Sequence, residues 1–118
     1  MNSICLNVGL SVEPHSADAA WAIEGDAIVR FDLVRGRATA RVTETMSPSF
    51  ITFGEGHVWV ATSAGGAAGT VWQIDPKSNS VVTRTQVGRG VAALAVGLGS
   101  VWVGCSIDHE VWRIETTR

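Results

Sequence analysis

The sequence contains no tyrosine and two cysteines, Cys5 and Cys105, which stand at opposite ends of the chain. Two cysteines so far apart do not form a disulfide framework. There is no Cys-x-x-Cys pair and no Cys/His cluster, so we expect no structural zinc site. Both cysteines are expected to be free, partly buried thiols.

Charge is also scarce, because charged residues make up 17% of the chain and the formal net charge is −2. The two signs are interspersed without runs, which argues against duplex nucleic acid and an anionic membrane as partners. No apolar run approaches the roughly 20 residues of a membrane span. Residues 1–6 lack the basic and apolar regions of a signal peptide, so we expect a cytoplasmic location. A missing upstream segment would remove that expectation and allow an extracytoplasmic one.

The residues that are abundant indicate short strands. Hydrophobic residues make up 46% of the chain, with thirteen glycines and five tryptophans. This composition is too apolar for a disordered chain. Frequent glycine together with valine and tryptophan is typical of short strands joined by tight turns.

An internal repeat organises the chain. Gly54–Val60 reads GEGHVWV and Gly97–Val103 reads GLGSVWV, at an offset of 43 residues. Thr70–Asp75 matches Glu110–Glu115 at an offset of 40. The difference falls in the intervening loop, where length changes do not disturb strands. A degenerate upstream copy places Trp21 at the position of Trp59 and 28–32 at that of 71–75.

A period near 43 residues with about four short strands is typical of a propeller blade. In the middle unit we predict strands at 50–53, 57–62, 70–75 and 80–87, and the next strand at 92–96. The segment 75–79 is a turn because proline, aspartate and asparagine suit turn positions. Val58, Trp59 and Val60 are apolar in succession, so both faces of their strand should be buried. Strand 80–87 mixes in polar residues and should be half exposed.

The sequence therefore predicts an all-β fold, an incomplete β-propeller of four-stranded antiparallel blades with about two and a half to three blades. The single domain would contain a degenerate blade at about 10–44, a complete blade at 50–87 and a truncated blade at 92–118. A β-sandwich and a small barrel also have strands at such spacing. Neither requires self-similarity at 43 residues.

The repeat resembles that of virginiamycin B (streptogramin) lyase-like propellers and of the related YncE-like, or YVTN-type, propellers. The matching segments are Gly54–Val60, Val71–Val82, Val87–Gly88 and Gly97–Val103 within roughly residues 19–118. The resemblance implies six or seven blades, and it is specific for the fold rather than for the function. It also implies, for the lyases, a His/Glu pair with magnesium. No His-x-Glu motif is present here, and no position maps onto a catalytic residue.

The last repeat stops inside the turn expected before a fourth strand. We therefore expect an unpaired edge strand and two uncovered blade faces. The chain would then be a fragment that needs the remaining blades of a parent propeller. The alternative is self-association, in which two or three copies close one ring.

The tryptophans and the loops are the candidate binding features. Tryptophans recur at equivalent positions (Trp59 and Trp102, Trp72 and Trp112), which predicts core packing rather than an aromatic platform. Loops at one end of the blades are expected to form the binding face. Its candidate residues are Glu24, Asp26, Arg89, Asp108, His109 and Glu110.

Other chemistry is not supported. His57 is expected to be solvated. A metal site at 108–110 is not expected, because adjacent strand residues point to opposite faces. Neither a Gly-x-Ser-x-Gly elbow nor a phosphate loop is present, and the glycine-rich segment 63–69 is predicted to be a flexible hairpin loop.

The predicted function is a non-catalytic propeller module or fragment that serves as a scaffold for a small molecule or protein, without a cofactor. One alternative is a piece of a virginiamycin B lyase-like enzyme, a magnesium-dependent carbon–oxygen lyase whose catalytic blades lie elsewhere; magnesium would be required only in that case. Another is YncE-like binding of single-stranded DNA, which the net negative charge disfavours.

Overall fold

A computed structural model describes residues 10–12, 19–43, 48–62 and 67–115. These ranges contain strands and turns and no helix. The described residues therefore include no helix that could span a membrane. The eleven strands are β1 (Leu10–Val12), β2 (Ala19–Glu24), β3 (Ala27–Asp32), β4 (Arg37–Val42), β5 (Pro48–Gly54), β6 (His57–Thr62), β7 (Ala68–Asp75), β8 (Ser80–Arg89), β9 (Val91–Gly97), β10 (Ser100–Cys105) and β11 (Glu110–Glu115).

The strands form three antiparallel sheets, and the chain completes each sheet before it begins the next. The first sheet has the order β1-β2-β3-β4, the second β5-β6-β7-β8, and the third β9-β10-β11. The all-β prediction is confirmed. The three described sheets do not close into a ring.

The turns repeat between sheets as closely as the strands do. Glu55 and Gly56 join β5 to β6 with positive φ at both residues, and Leu98 and Gly99 join β9 to β10 in the same way. Positive φ at both central residues is the signature of a type I′ hairpin, which matches strand twist.

The longer turns that follow β3 and β7 also match. In each, an aspartate carboxylate accepts a hydrogen bond from the backbone amide two residues later, at 2.9 Å from Val34 to Asp32 and 2.9 Å from Lys77 to Asp75. Each turn is closed by a second hydrogen bond of 2.8 Å, which the backbone amide four residues after the aspartate donates to the backbone carbonyl oxygen of that aspartate. The predicted turn at 75–79 is therefore confirmed, and the first sheet contains its counterpart.

Four strands extend beyond their predicted bounds: β5 and β9 by one or two residues at each end, β7 at its start and β8 at its end. β6 occupies 57–62 as predicted, but β8 continues to Arg89, which pairs with Ala68. The pairing extends β7 back to Ala68, so Gly69 lies in a strand rather than in the predicted loop. A Cβ atom on Gly69 would lie 2.6 Å from the Thr62 carbonyl oxygen, so only glycine fits this close approach.

Two hydrophobic clusters hold the sheets together. The cluster between the first and second sheets contains Trp21, Ile28, Val42, Ile51, Val58, Val60, Trp72 and Ile74. The cluster between the second and third sheets contains Trp59, Ala61, Val71, Val87, Val91, Val101, Val103 and Cys105. β6 contributes alternate residues to both clusters, which confirms that both of its faces are buried. β8 is half exposed, also as predicted.

The first strand of the second sheet contacts both other sheets, because β5 contacts β1 and β2 of the first sheet and β9 of the third. Gly54, at the end of β5, permits the contact with β9 because a Cβ atom there would lie 2.7 Å from Val96 Cγ1. Gly97 occupies the same repeat position in the third sheet, and a Cβ atom there would meet nothing within 4 Å. The third sheet therefore has no neighbour, among the described residues, at the place where the second sheet meets β9.

Candidate functional site

An ion pair joins the crossing from β8 to β9 to the loop between β10 and β11. The Arg89 backbone amide donates to Asp108 Oδ2 at 2.9 Å, and Arg89 Nε donates to Asp108 Oδ1 at 2.8 Å. The Arg89 guanidinium completes the pair at 2.7 Å. The Ser106 amide and hydroxyl both donate to the Gly90 carbonyl oxygen, at 2.8 and 3.0 Å. The predicted meeting of these two connections at one end of the sheets is thus observed for Arg89 and Asp108.

The backbone at this crossing requires glycine. Gly90 has a φ of 71°, in the left-handed region that favours glycine. A Cβ atom there would lie 2.8 Å from the Ile107 amide nitrogen. The close contact fixes the loop of residues 106–109 against the crossing and thereby positions Asp108.

Hydrogen bonds determine the charge state of Asp108. Those from the Arg89 backbone amide and then the guanidinium hold the pKa of Asp108 below its usual range. The carboxylate is therefore ionised at neutral pH, and both of its oxygens are engaged. Such a group is suited to holding the loop in place and poorly suited to accepting a proton as a general base.

His109 and Glu110 follow Asp108 but make different interactions. His109 has a φ of 55° at the tip of the hairpin and is exposed. Glu110 Oε1 accepts a hydrogen bond of 3.1 Å from Trp112 Nε1. Both residues line a hollow of about 260 Å³ together with Ala92, Gly104, Cys105, Ser106 and Val111.

Of the remaining two predicted binding residues, Glu24 ends β2 and Asp26 lies in the turn between β2 and β3. Glu24 forms an ion pair with Arg41 of β4, and Asp26 is exposed. Within the described ranges, no hydrogen bond or ion pair connects either residue to Arg89 or Asp108. The structure brings two of the six predicted residues into direct contact, and two more follow them in the chain.

Cys105 is free and buried, at 2% exposure, rather than partly buried as predicted. Burial raises the pKa of its thiol, so it is protonated and a weak nucleophile at neutral pH. In the part of the chain that the structure describes, no three His, Cys, Asp or Glu side chains form a group able to hold a metal ion. His57, at the start of β6, is half-buried and lies near Trp59 and the Glu55 carbonyl. Cys5 and residues 63–66 of the glycine-rich segment lie outside the described residues.

The prediction that the tryptophans pack in the core is correct for the first two sheets and wrong for the third. Trp21, Trp59 and Trp72 are at most 5% exposed, whereas Trp102 and Trp112 are each 37% exposed. The repeat places the last two at positions equivalent to Trp59 and Trp72. Equivalence in sequence does not supply the neighbouring sheet and the fourth strand that cover the positions in the second sheet.

The hydrogen bonds of equivalent tryptophans show what the repeat preserves. Trp59 Nε1 donates to the Gly54 carbonyl at 3.0 Å, and Trp102 Nε1 donates to the Gly97 carbonyl at 3.3 Å. This bond lies within one hairpin, so it forms whether or not the indole is buried.

The second pair of tryptophans differs in its acceptor. Trp72 Nε1 donates to Thr62 Oγ1 at 3.1 Å. Cys105 occupies the equivalent position of Thr62, and its thiol is a poor acceptor. Trp112 therefore donates to the Glu110 carboxylate, which lies outside the core.

One face of the third sheet is uncovered. Val101, Val103 and Cys105 point into the cluster shared with the second sheet, so alternate residues point the other way. The register of the three strands places five small or apolar residues together on this side, which we call the open face: Ala93, Ala95, Trp102, Gly104 and Val111. Val111 is 71% exposed, and its counterpart Val71 is 2% exposed.

The sequence predicted two uncovered faces. The outer face of the first sheet, which points away from the second sheet, is not one of them. Ala20 and Val29 point away from the second sheet, because Trp21 and Ile28 point towards it. Ala20 is 3% exposed and Val29 is 1% exposed. The outer face of the first sheet is therefore covered at these two positions.

The sequence named the loop residues but not the members of the open face. Trp102 and Val111 align with Trp59 and Val71, so the repeat alone predicts burial at both positions. The chain matches no protein-family model and no curated protein.

Proposed function

We propose that the three sheets are successive blades of a β-propeller of the virginiamycin B lyase-like and YncE-like type, and that the chain is a non-catalytic scaffold that binds protein. The binding surface is the open face of the third sheet. The loop end around Arg89 and Asp108 has a supporting role, because it fixes the third sheet to the second.

The repeated contacts support the propeller. Each sheet is a meander that ends before the next begins, and neighbouring sheets contact at their first strands. The contacts between the first and second sheets recur between the second and third. Trp21 and Ile28 point forward in the first interface, and Trp59 and Val71 do so in the second. Repetition of the same interface is what a blade array requires.

The observation that carries the binding function is the exposure of Trp102 and Val111 on the open face. Their counterparts Trp59 and Val71 are each 2% exposed, because the third sheet covers them. Contiguous apolar surface around an aromatic residue is typical of protein contact sites. The same side chains that build one sheet interface are thus available for another.

The polar groups at the loop end favour binding over catalysis. Asp108 is fully engaged by Arg89, and Cys105 is a buried, protonated thiol. Catalytic acids, bases and nucleophiles need free lone pairs or pKa values matched to proton transfer.

An apolar dye whose fluorescence rises on hydrophobic surface tests the proposal. At concentrations where light scattering gives a monomer, the wild-type chain should bind the dye. The double variant Trp102→Lys/Val111→Lys should lose most of that binding. Leu98→Lys, at a turn residue that is 95% exposed and lies off the open face, is the matched control and should retain it.

Two results would count against this function. Equal dye binding by the double variant and the wild type would show that the open face is not the apolar surface. Magnesium-dependent lyase activity of the purified chain would contradict the non-catalytic assignment and favour the enzyme alternative.

A further inference from the structure

We infer that a cleft on the second sheet binds a small organic carboxylate, and that Arg84 of β8 is the residue that recognises it. The cleft lies on the side of the second sheet that faces the first sheet. It is separate from the open face, so the inference goes beyond the proposed protein-binding function and does not depend on it.

The cleft is a polar hollow of about 390 Å³ that side chains of β6, β7 and β8 line. These side chains are Thr62, Thr70, Trp72, Arg84 and Gln86. Thr70 pairs with Gln86 and Trp72 pairs with Arg84, so these four side chains lie on one side of the sheet. That side faces the first sheet, because Trp72 belongs to the hydrophobic cluster that the two sheets share.

An aromatic ring, and not an acid, holds Arg84 in the cleft. Its guanidinium carbon lies 5.7 Å from the centroid of the Trp72 ring, which is within the range of a cation–π interaction. Among the residues that the structure describes, Arg84 makes no hydrogen bond and no ion pair. The N–H donors of its guanidinium group are therefore available to an incoming acceptor.

The first sheet shows what an arginine at this position binds. Arg41 is the counterpart of Arg84 in the repeat. It pairs with Val29 of β3, and the repeat aligns Val29 with Trp72. Arg41 forms an ion pair with Glu24, which reaches it from the end of β2 across the intervening strand. The first sheet therefore supplies a carboxylate to this arginine from its own chain.

The second sheet keeps the arginine but lacks the carboxylate. Thr62 ends β6 as Glu24 ends β2, three residues after the equivalent tryptophan in each strand. A threonine side chain has no charge, and the Thr62 hydroxyl accepts the hydrogen bond from Trp72 Nε1. The hollow that Thr62 and Arg84 line thus stands where the first sheet has a carboxylate.

The other lining residues also favour an anion. The side chains of Thr70 and Gln86 make no hydrogen bond within the described ranges, and each has a donor for a carboxylate oxygen. None of the described lining residues is acidic, so no like charge opposes an anion. The volume is at the lower end of the range for small-molecule sites, which favours a small acid.

Titration of the full chain with sodium propionate, followed by heteronuclear NMR, tests the inference. Propionate has the length of a glutamate side chain. The indole N–H resonance of Trp72 should shift and reach saturation, whereas sodium chloride at equal ionic strength should leave it unchanged. Trp59 Nε1 donates to the Gly54 carbonyl, away from the cleft, and its resonance should not shift.

Two variants remove the site in different ways. Arg84→Met removes the guanidinium group and should raise the propionate dissociation constant by at least about tenfold. Thr62→Glu places a carboxylate where the first sheet has one, so it should pair with Arg84 and abolish propionate binding. Arg37→Met is the matched control, because Arg37 is an exposed arginine of β4 that does not line the cleft.

Thermal melts verify that each variant folds, and Arg84→Met decides the result if Thr62→Glu does not fold. A saturable shift that Arg84→Met weakens and Arg37→Met keeps supports the inference. The absence of a saturable shift in the wild type overturns it, as does equal binding by wild type and Arg84→Met. Binding of inorganic phosphate without binding of propionate also overturns it, because the cleft would then recognise a tetrahedral oxyanion.

Discussion

The second and third sheets share a sequence pattern but differ in burial. Trp59 of the second sheet is 2% exposed, and Trp102, at the same repeat position, is 37% exposed. Five of the eight residues of β7 are buried and the other three are half-buried, whereas every residue of β11 except Ile114 is exposed. The repeat therefore encodes which residues can form an interface, and the presence of a neighbouring sheet decides whether they do.

The same two sheets also show what is independent of a neighbour. The hairpin turns Glu55-Gly56 and Leu98-Gly99 have nearly the same backbone angles. The tryptophan in each hairpin donates to the glycine carbonyl that ends the preceding strand. Turn geometry and this hydrogen bond are local, so they persist where packing is absent.

Removing the paired tryptophans gives the largest expected contrast. Trp59→Ala should lower the free energy of unfolding by about 3–5 kcal/mol, because it leaves a cavity in a closed cluster. Trp102→Ala should cost roughly 1 kcal/mol, since much of its surface is already in water. Urea unfolding at low protein concentration measures both. Equal losses would mean that Trp102 is as well packed as Trp59.

The acceptors of the other tryptophan pair give a smaller contrast. Thr62→Val leaves the buried Trp72 Nε1 without its hydroxyl acceptor and should cost about 1–3 kcal/mol. Glu110→Ala, in the third sheet, should change stability by about 0.5 kcal/mol or less, because Trp112 can donate to water. Thermal unfolding of the two variants gives the comparison. A larger loss for Glu110→Ala would show that Trp112 is buried in solution.

Relief of backbone strain in the hairpin turns should raise the free energy of unfolding. Leu98 has a φ of 56°, which a branched side chain rarely adopts. Leu98→Asn should raise the free energy of unfolding by about 1 kcal/mol, since asparagine tolerates this region. Glu55→Asn in the matching turn should stabilise less, because Glu55 makes other interactions. If Leu98→Asn does not raise the midpoint of unfolding, the result would argue against a type I′ turn in solution.

The smallest effect is expected from the Arg89–Asp108 pair, which anchors the third sheet to the second. Hydrogen bonds from Arg89 lower the pKa of Asp108 below 3.8 in the folded chain. The ion pair therefore stabilises the folded state at pH values above 3.8. Its contribution should be lost as the pH falls through the lowered pKa. The midpoint difference between wild type and Asp108→Asn should therefore be present at pH 7 and shrink as the pH falls below 3.8 and through the lowered pKa. A difference independent of pH would assign the effect to packing.

Much of the fold follows from local sequence signals. Glycine pairs, the Asp-Pro turn and apolar triplets located β6 at its observed bounds and the neighbouring strands within a few residues. The extension of β7 and β8 to Ala68 and Arg89 was missed, because it depends on pairing between those two residues rather than on either one's propensity. In this chain the type of each element is determined by local sequence, whereas the length of an element also depends on its pairing with distant residues.

The candidate site was less predictable for the same reason. The sequence placed Arg89 and Asp108 on one loop end correctly, since alternating connections of a meander lie at the same edge. It could not foresee that Glu24 would pair with Arg41. The exposure of Trp102 was also not foreseeable, because repeat equivalence assumes equal neighbours.

Gly54 has a consequence for how closely two sheets can pack. Val96 occupies the space where a Cβ atom on Gly54 would stand, so this glycine permits the close approach of β5 and β9. A larger residue at this position would have to displace Val96, and it would move the first strand of the third sheet away from the second sheet.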